Sequence, residues 1–267
     1  MTKNIKRILL LVLIYSAILA GTIILIVVLV LDKNTSPKDN ENTLSDIFKT
    51  SSSVMWIGPH PDDELFVAGT LGYLCKDLDY NCTIVAIGEN PDFIEANKQS
   101  SQFLNAEYIR LADRIGKIRL DCHYKKNSKE NIDCIAESWI AGGIEQEITK
   151  ILSEKKPDIV FTFEPESTIE LSQTHAASSI VVKKAIDDSK VSVHHYYVIQ
   201  TTLLTEESFD KDKSGATDVF DLDTNLWNYK MQVVSFYSFH YPSLEKLVNN
   251  KTYQQERIHQ EIFRKVI

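Results

Sequence analysis

Short apolar runs of strand type alternate with longer helix-like stretches along most of the chain. The runs lie at residues 54–57, 83–87, 118–120, 159–163 and 195–200, and the helix-like stretches lie at residues 64–76, 92–105, 139–154 and 174–187. Strands that alternate with helices are joined by crossover connections, which make the strands parallel and place helices on both faces of the sheet. The sequence therefore predicts an α/β fold, a Rossmann-like and mostly parallel sheet. Residues 226–267 are predicted to be helical, with an amphipathic stretch at 253–263.

A short polar run at residues 58–64 follows the first of these predicted strands. It contains His60 and Asp63, whose spacing across a helix start can aim an imidazole nitrogen and a carboxylate oxygen at one divalent ion. Asp62 is then left beside the ion, free to act as a base. The Pro-Asp-Asp-Glu part is also an ordinary helix start, an interpretation that explains the acids but does not explain His60.

The run from His60 to Glu64 resembles the signature of the LmbE-like de-N-acetylases, a family that includes N-acetylglucosaminyl-phosphatidylinositol de-N-acetylase (PIG-L). In that family the third metal ligand is the last histidine of a His-x-x-His segment that follows a later strand. Here residues 159–163 are followed by a loop and then by Ser172-Gln173-Thr174-His175. The resemblance spans most of residues 54–240, with its tight matches in these two segments. It implies that His60, Asp63 and His175 hold the metal.

The resemblance also implies an activity. With the uncharged run at residues 8–31 as an anchor, the chain would be a membrane-anchored, metal-dependent hydrolase of linear amide bonds. It would remove the acetyl group of an N-acetylglucosamine-containing glycan, glycolipid or conjugate to leave a free amine and acetate. Zinc is the implied cofactor by ligand type, although another divalent metal would fit. Asp62 is the implied general base, whereas Glu64 and Ser172 are predicted to support the metal ligands or to contact the substrate.

Departures from the family pattern leave two alternatives open. Ser172 stands where the family usually has a histidine that helps to stabilise the tetrahedral intermediate, and a serine cannot carry the positive charge of an imidazolium. The loop at 164–170 is acidic where relatives are often rich in glycine, and Asp92 stands where an arginine is often found. The alternatives are a catalytically weak glycan-binding protein on the same scaffold and a metal-dependent hydrolase of another amide.

Residues 8–31 form 24 consecutive uncharged residues, enough for a helix of roughly 36 Å that would span a bilayer. The sequence therefore predicts a cytoplasmic N-terminus at 1–7, a transmembrane anchor at 8–31, a flexible tether at 32–53 and a deacetylase domain at 54–267. Cations concentrated before the span predict an extracytoplasmic or luminal domain. The layout of PIG-L instead implies a domain that faces the cytosol at the endoplasmic reticulum, so both orientations are retained.

Cysteines and charge add further expectations. Cys75 could pair with Cys82, and Cys122 with Cys134, or all four could be free thiols. The net charge of −8 argues against nucleic-acid binding. The aromatic residues near the end of the matched region are predicted to be core rather than a sugar platform: Phe236, Tyr237, Phe239 and Tyr241.

Overall fold

A seven-stranded sheet lies at the centre of the structure. The computed structural model describes residues 44–88, 90–116, 122, 128–165, 172–199, 218–255, 257 and 259–267. The strands are β1 (Ser53–Gly58), β2 (Asn81–Ala86), β3 (Ala106–Arg110), β4 (Ile159–Phe163), β5 (His195–Ile199), β6 (Asp218–Asp221) and β7 (Gln260–Lys265). Their order in the sheet is β3-β2-β1-β4-β5-β7-β6. The first five strands pair in parallel, and β7 runs antiparallel to both β5 and β6. The mostly parallel sheet is therefore confirmed.

Helices surround this sheet. They are α1 (Leu44–Thr50), α2 (Ala68–Gly72), α3 (Ile94–Phe103), α4 (Ala112–Ile115), α5 (Lys129–Ala141), α6 (Ile144–Lys155), α7 (Gln173–Ser189), α8 (Thr224–Tyr237), α9 (Pro242–Asn249) and α10 (Lys251–Gln255). Turns of 3₁₀ helix lie at Asp63–Val67, Pro91–Phe93 and Ser238–His240, and a π-helical turn lies at Tyr73–Asp77.

The two faces of the sheet bury two separate apolar clusters. Successive side chains of a strand point to opposite faces, so Val54 and Trp56 of β1 join one cluster whereas Met55 and Ile57 join the other. The first cluster also includes residues of α1, α2, α3, α8 and α9, and the second includes residues of α5, α6 and α7. Helices therefore cover both faces, as the alternating pattern predicts.

The N-terminal boundary of the folded unit differs from the prediction. Residues 32–53 were expected to form a tether, yet α1 occupies part of this segment and buries Leu44, Ile47 and Phe48. Their spacing of three and four residues places them on one face of a helix. The compact unit accordingly begins at Leu44. Ser53, the last residue of the predicted tether, is the first residue of β1, and residues 32–43 lie outside the described residues.

Three strands of the sheet were not predicted: β3 at Ala106–Arg110, β6 at Asp218–Asp221 and β7. The predicted strand at 118–120 lies outside the described residues. The prediction that residues 226–267 are helical throughout is wrong at its end, because Gln260–Lys265 forms β7 between β5 and β6. Tertiary pairing overrides the local amphipathic pattern in this segment.

The prediction of a single-pass membrane protein with an extracytoplasmic or luminal domain is wrong for the part of the chain that the structure describes. No helix among those residues has the length and apolar character needed to cross a bilayer. The predicted anchor at 8–31 and the predicted cytoplasmic segment at 1–7 lie outside the described residues.

Both predicted cysteine pairs are disulfides in the structure, so the alternative of free thiols does not hold. Cys75 in the π-helical turn is bonded to Cys82 in β2, with the two Cα atoms 5.8 Å apart. Cys122 is bonded to Cys134 in α5, with a Cα separation of 6.0 Å.

The buried carboxylate of Glu261 in β7 contacts two helices, α2 and α8. The carboxylate of Glu261 accepts hydrogen bonds from the backbone N–H groups of Gly69 (3.0 Å) and Thr70 (2.8 Å) at the start of α2. It also accepts from the Nζ of Lys230 at 2.7 Å, and Lys230 donates to the carbonyl of Phe66 at 2.9 Å. A buried charge is tolerated when it is paired and hydrogen-bonded in this way.

Candidate metal centre

The centre lies at the point where the strand order reverses. β1 pairs in parallel with β2 on one side and with β4 on the other. The turn after β1 and the helix α7 after β4 therefore leave the sheet at neighbouring carboxyl ends, the usual position of ligand sites in such sheets. This topology brings His60 and His175 together, although 115 positions separate them in the sequence.

The turn after β1 is closed by the carboxylate of Asp63. The backbone N–H of His60 donates to Oδ2 of Asp63 at 2.6 Å. A Cβ atom at Gly58 would lie 2.7 Å from the Cβ of Asp63, so the turn can pack this closely only because residue 58 has no side chain. Asp63 is buried and faces both histidines as a result.

Three side chains converge in this turn. His60, Asp63 and His175 each offer one potential ligand atom, and these atoms all lie within 4.8 Å of one another. The Nε2 atom of His175 is 3.0 Å from Oδ1 of Asp63, and the Nδ1 atom of His60 is 3.4 Å from Oδ2. The residues predicted as ligands are thus brought together, while their role in metal binding remains a prediction.

The electrostatics of the three side chains are strongly linked. Burial alone would raise the pKa of Asp63, but the adjacent His175 and His60 outweigh burial and lower that pKa well below its usual range. Burial opposes the charged form of His60, yet Asp63 and Asp62 raise the pKa of His60. The buried carboxylate therefore attracts positive charge, which a divalent cation would supply.

The surroundings of His175 fit a metal ligand. Its ring stacks on Phe163 with centroids 4.0 Å apart and meets Phe66 edge-on at 6.1 Å, so the imidazole has one orientation. Its Nδ1 atom is buried and has no hydrogen-bond partner among the described residues. Two imidazoles and one carboxylate also form the donor set of many hydrolytic zinc sites. The residues present therefore fit a divalent metal.

Asp62 lies beside this group, half-buried, and its Oδ2 accepts a hydrogen bond from the hydroxyl of Tyr241 at 2.9 Å. Burial and the neighbouring Asp63 carboxylate raise the pKa of Asp62 to about 6. A carboxylate whose pKa approaches neutrality is a stronger base than an ordinary surface aspartate.

Glu64 points into the protein behind the turn. The hydroxyl of Tyr237 is hydrogen-bonded to Glu64 and lies 3.0 Å from the backbone carbonyl of Pro61. The side-chain amide of Asn97 donates to the same hydroxyl at 3.0 Å. Burial raises the pKa of Glu64 to about 8. Glu64 and Tyr237 thus link α8 to the turn that carries His60.

Ser172 is exposed and reaches the centre indirectly. Its hydroxyl is hydrogen-bonded to the hydroxyl of Thr174, which lies 3.1 Å from Nε2 of His60. The acidic loop at 166–170 that precedes it lies outside the described residues.

The sequence around this centre matches a known protein family. Residues 55–186 match the family model described as PIG-L, GlcNAc-PI de-N-acetylase, and this range contains all four residues of the predicted centre. The chain belongs to the PIG-L family.

Solved structures resemble the fold of this PIG-L chain. N,N'-diacetylchitobiose deacetylase from Pyrococcus horikoshii has a TM-score of 0.53 at 16% identity, covering 85% of this chain and 88% of the other. A deacetylase of the teicoplanin biosynthesis pathway has a TM-score of 0.54 at 15% identity, with coverages of 80% and 97%. The zinc-inhibited form of the teicoplanin deacetylase Orf2 has a TM-score of 0.51 at 14% identity, with coverages of 80% and 97%. A comparison with curated protein sequences finds no match.

Sequence reasoning missed three residues of the PIG-L centre. Thr174 contacts His60, and its position next to His175 was the one available signal. Tyr237 was expected to be buried core, which it is, but its contact with Glu64 was not foreseen. Tyr241 contacts Asp62 from a distant part of the sequence, and no local pattern indicates this contact.

Proposed function

We propose that this PIG-L protein is a metal-dependent de-N-acetylase. It would hydrolyse the acetamide of an N-acetylglucosamine-containing substrate to a free amine and acetate. The convergence of His60, Asp63 and His175 beside Asp62 is the observation that carries the proposal. Membership of the PIG-L family and the deacetylase names of its structural neighbours support it.

His60, Asp63 and His175 would hold the metal, and we propose zinc because of their ligand types. When bound, the ion polarises a carbonyl oxygen and makes its water more acidic. The three side chains fix the site at the carboxyl end of β1, and the stacked ring of Phe163 keeps His175 in its orientation. In the activity test zinc should be added in small steps rather than in excess, because one structural neighbour is described in a zinc-inhibited form.

Asp62 is placed to move the proton. Tyr241 holds its Oδ2, which leaves Oδ1 available to the attacking water. Asp62 accepts a proton as the water oxygen bonds to the acetamide carbon. It returns the proton to the amine nitrogen as the carbon–nitrogen bond breaks, so that acetate and the amine are released.

A second candidate function follows from Ser172. Its neutral, exposed hydroxyl is hydrogen-bonded to the hydroxyl of Thr174 and supplies no positive charge to the site. A protein with this residue could bind N-acetylated glycans with weak turnover, or could act on another amide. The first of these alternatives gives a distinct result in the test below.

The test is acetate release by the full-length chain from N-acetylglucosamine, N,N'-diacetylchitobiose and N-acetylglucosaminyl-phosphatidylinositol. It is run with titrated zinc, with a chelator, and with the variants Asp62→Asn and Asp188→Asn. Asp188 is a matched control because it is an exposed carboxylate of α7 that pairs with Lys184. Release that needs both metal and Asp62 is expected. Equal release from Asp62→Asn would contradict the assigned base, and glycan binding without release would favour the binding protein.

A further inference from the structure

Four aromatic rings form a connected strip that begins at Asp62. The hydroxyl of Tyr241 donates a hydrogen bond to Asp62. The ring of Tyr241 stacks on that of Phe93, with centroids 5.4 Å apart and planes at 25°. Phe93 meets His240 edge-on at 4.5 Å, and His240 contacts Phe239 at 3.9 Å. We call Tyr241, Phe93, His240 and Phe239 the aromatic strip. It leads from the proposed base toward the surface.

The outer ring of the strip is unusually exposed. Phe239 has 75% of its surface accessible and Tyr241 has 37%, although the sequence predicted both to be core. A large apolar side chain left in water forgoes the stabilisation that its burial would provide. Exposed apolar surface of this kind commonly marks an interaction site.

Tyr241 is fixed as a platform. Its hydroxyl is held by Asp62 and one face of its ring is covered by Phe93, so the accessible part of the side chain includes the opposite face. A ring held at its edge and on one face loses little conformational freedom when a ligand covers the other face.

We propose that the aromatic strip binds a second pyranose ring, so that the substrate is an N-acetylated disaccharide or longer glycan rather than a single amino sugar. This inference rests on the proposed function. A sugar with its acetamide beside Asp62 lies next to Tyr241, and the adjoining sugar reaches Phe239. A pyranose presents an apolar C–H face that an aromatic ring can cover, with hydroxyl groups at its rim. The strip continues from the proposed base, where the proposed substrate places a sugar, so the group that follows along the strip is a second sugar rather than an acyl chain.

The kinetic test compares N-acetylglucosamine with N,N'-diacetylchitobiose on the full-length, metal-loaded chain. Phe239→Ala is expected to lower the ratio of kcat/KM for the disaccharide over the monosaccharide by about tenfold, mainly through KM. Phe239→Tyr keeps the ring and should restore the ratio. Leu78→Ala is the matched control, because Leu78 is another exposed apolar side chain outside the strip and should leave the ratio unchanged. An unchanged ratio in Phe239→Ala would overturn the proposal.

A binding test separates this inference from the proposed activity. N,N'-diacetylchitobiose is titrated calorimetrically into full-length Asp62→Asn, with and without Phe239→Ala. Binding that Phe239→Ala weakens about tenfold supports the subsite even if the wild type releases no acetate. Phe239-dependent binding of N-octanoylglucosamine without binding of the disaccharide would reassign the strip to an acyl chain. The absence of disaccharide binding would also overturn the proposal.

Discussion

At the scale of single residues, packing fixes the ring of His175, a proposed metal ligand. Phe163 and Phe66 hold the ring while Asp63 faces its Nε2 atom. His175→Ala removes one of three potential donors, so we expect the metal content per chain to fall at least tenfold after dialysis against a weak chelator. Elemental analysis measures this content. His194→Ala, an exposed histidine outside the centre, should retain the wild-type content, and retention by His175→Ala would mean that another residue is the third ligand.

Two tyrosines of α8 allow the stabilising contribution of a buried hydroxyl to be compared with that of an exposed one. Tyr237→Phe leaves Glu64 and the amide of Asn97 without their buried partner, so we expect unfolding to require about 1–3 kcal/mol less free energy. Tyr229→Phe removes an exposed hydrogen bond to Asp77 and should cost at most about 0.5 kcal/mol. Urea unfolding of the two variants measures the difference. Equal losses would show that the buried network contributes nothing beyond an ordinary surface bond.

At the scale of secondary-structure elements, Asp158 ties the start of β1 to the start of β4. One oxygen of its carboxylate accepts from the backbone N–H groups of Ser52 (2.8 Å) and Ser53 (3.1 Å) and from both serine hydroxyls. Burial alone would raise the pKa of Asp158, but these hydrogen bonds lower it below the ordinary value.

A lowered pKa sets the direction of a pH effect at this junction. The ionised carboxylate of Asp158 stabilises the fold fully above the pKa that it has in the unfolded chain, about 4. This stabilisation is lost as the pH falls through the lower pKa of Asp158 in the folded protein. Asp158→Asn lacks this titration, so its stability should fall less than that of the wild type between pH 4 and more acidic conditions. Urea midpoints at a series of pH values measure the two slopes. Parallel slopes would contradict the assignment.

The disulfide between Cys75 and Cys82 joins a helical turn to a strand across a short loop. Closing a loop of this length stabilises a fold by about 2–3 kcal/mol in the chain-entropy description. The double variant Cys75→Ala/Cys82→Ala should lose about this much stability, as measured by denaturant unfolding. Any further loss of stability of this variant in the presence of reductant is then due to the disulfide between Cys122 and Cys134. Unchanged stability in the double variant would argue against the first bridge.

The elements that sequence reasoning could predict are those whose signal is local. β1, β2, β4 and β5 are continuous apolar runs because both faces of these strands are buried. β3 buries Ile109 fully while its other residues are at least partly exposed, so no apolar run marks it. β7 carries the buried acid Glu261, whose partners lie far away in the sequence.

The same distinction applies to the centre. The spacing of His60 and Asp63 is local and predicted their proximity, and the resemblance supplied His175. The contact of Asp62 with Tyr241 joins residues 179 positions apart, which only the folded chain reveals.

At the scale of the whole molecule, the helix α1 is part of the fold. It buries Leu44, Ile47 and Phe48, and the hydroxyl of Tyr80 donates a hydrogen bond to the backbone carbonyl of Phe48. A chain that begins at Ser51 loses these side chains and should be less stable by roughly 4–8 kcal/mol than one that begins at Leu44. Guanidinium unfolding compares the two chains. Equal midpoints would show that α1 adds little to the core.

The pairing of Glu261 with the start of α2 has a consequence for biosynthesis. The turn that carries His60 leaves the ribosome long before Glu261 is translated. Until then the N–H groups of Gly69 and Thr70, and the ammonium of Lys230, lack their carboxylate partner. The helix beside the centre can therefore take its fully hydrogen-bonded form only after Glu261 has been synthesised, so a nascent chain that has not reached this residue lacks part of the support for the centre.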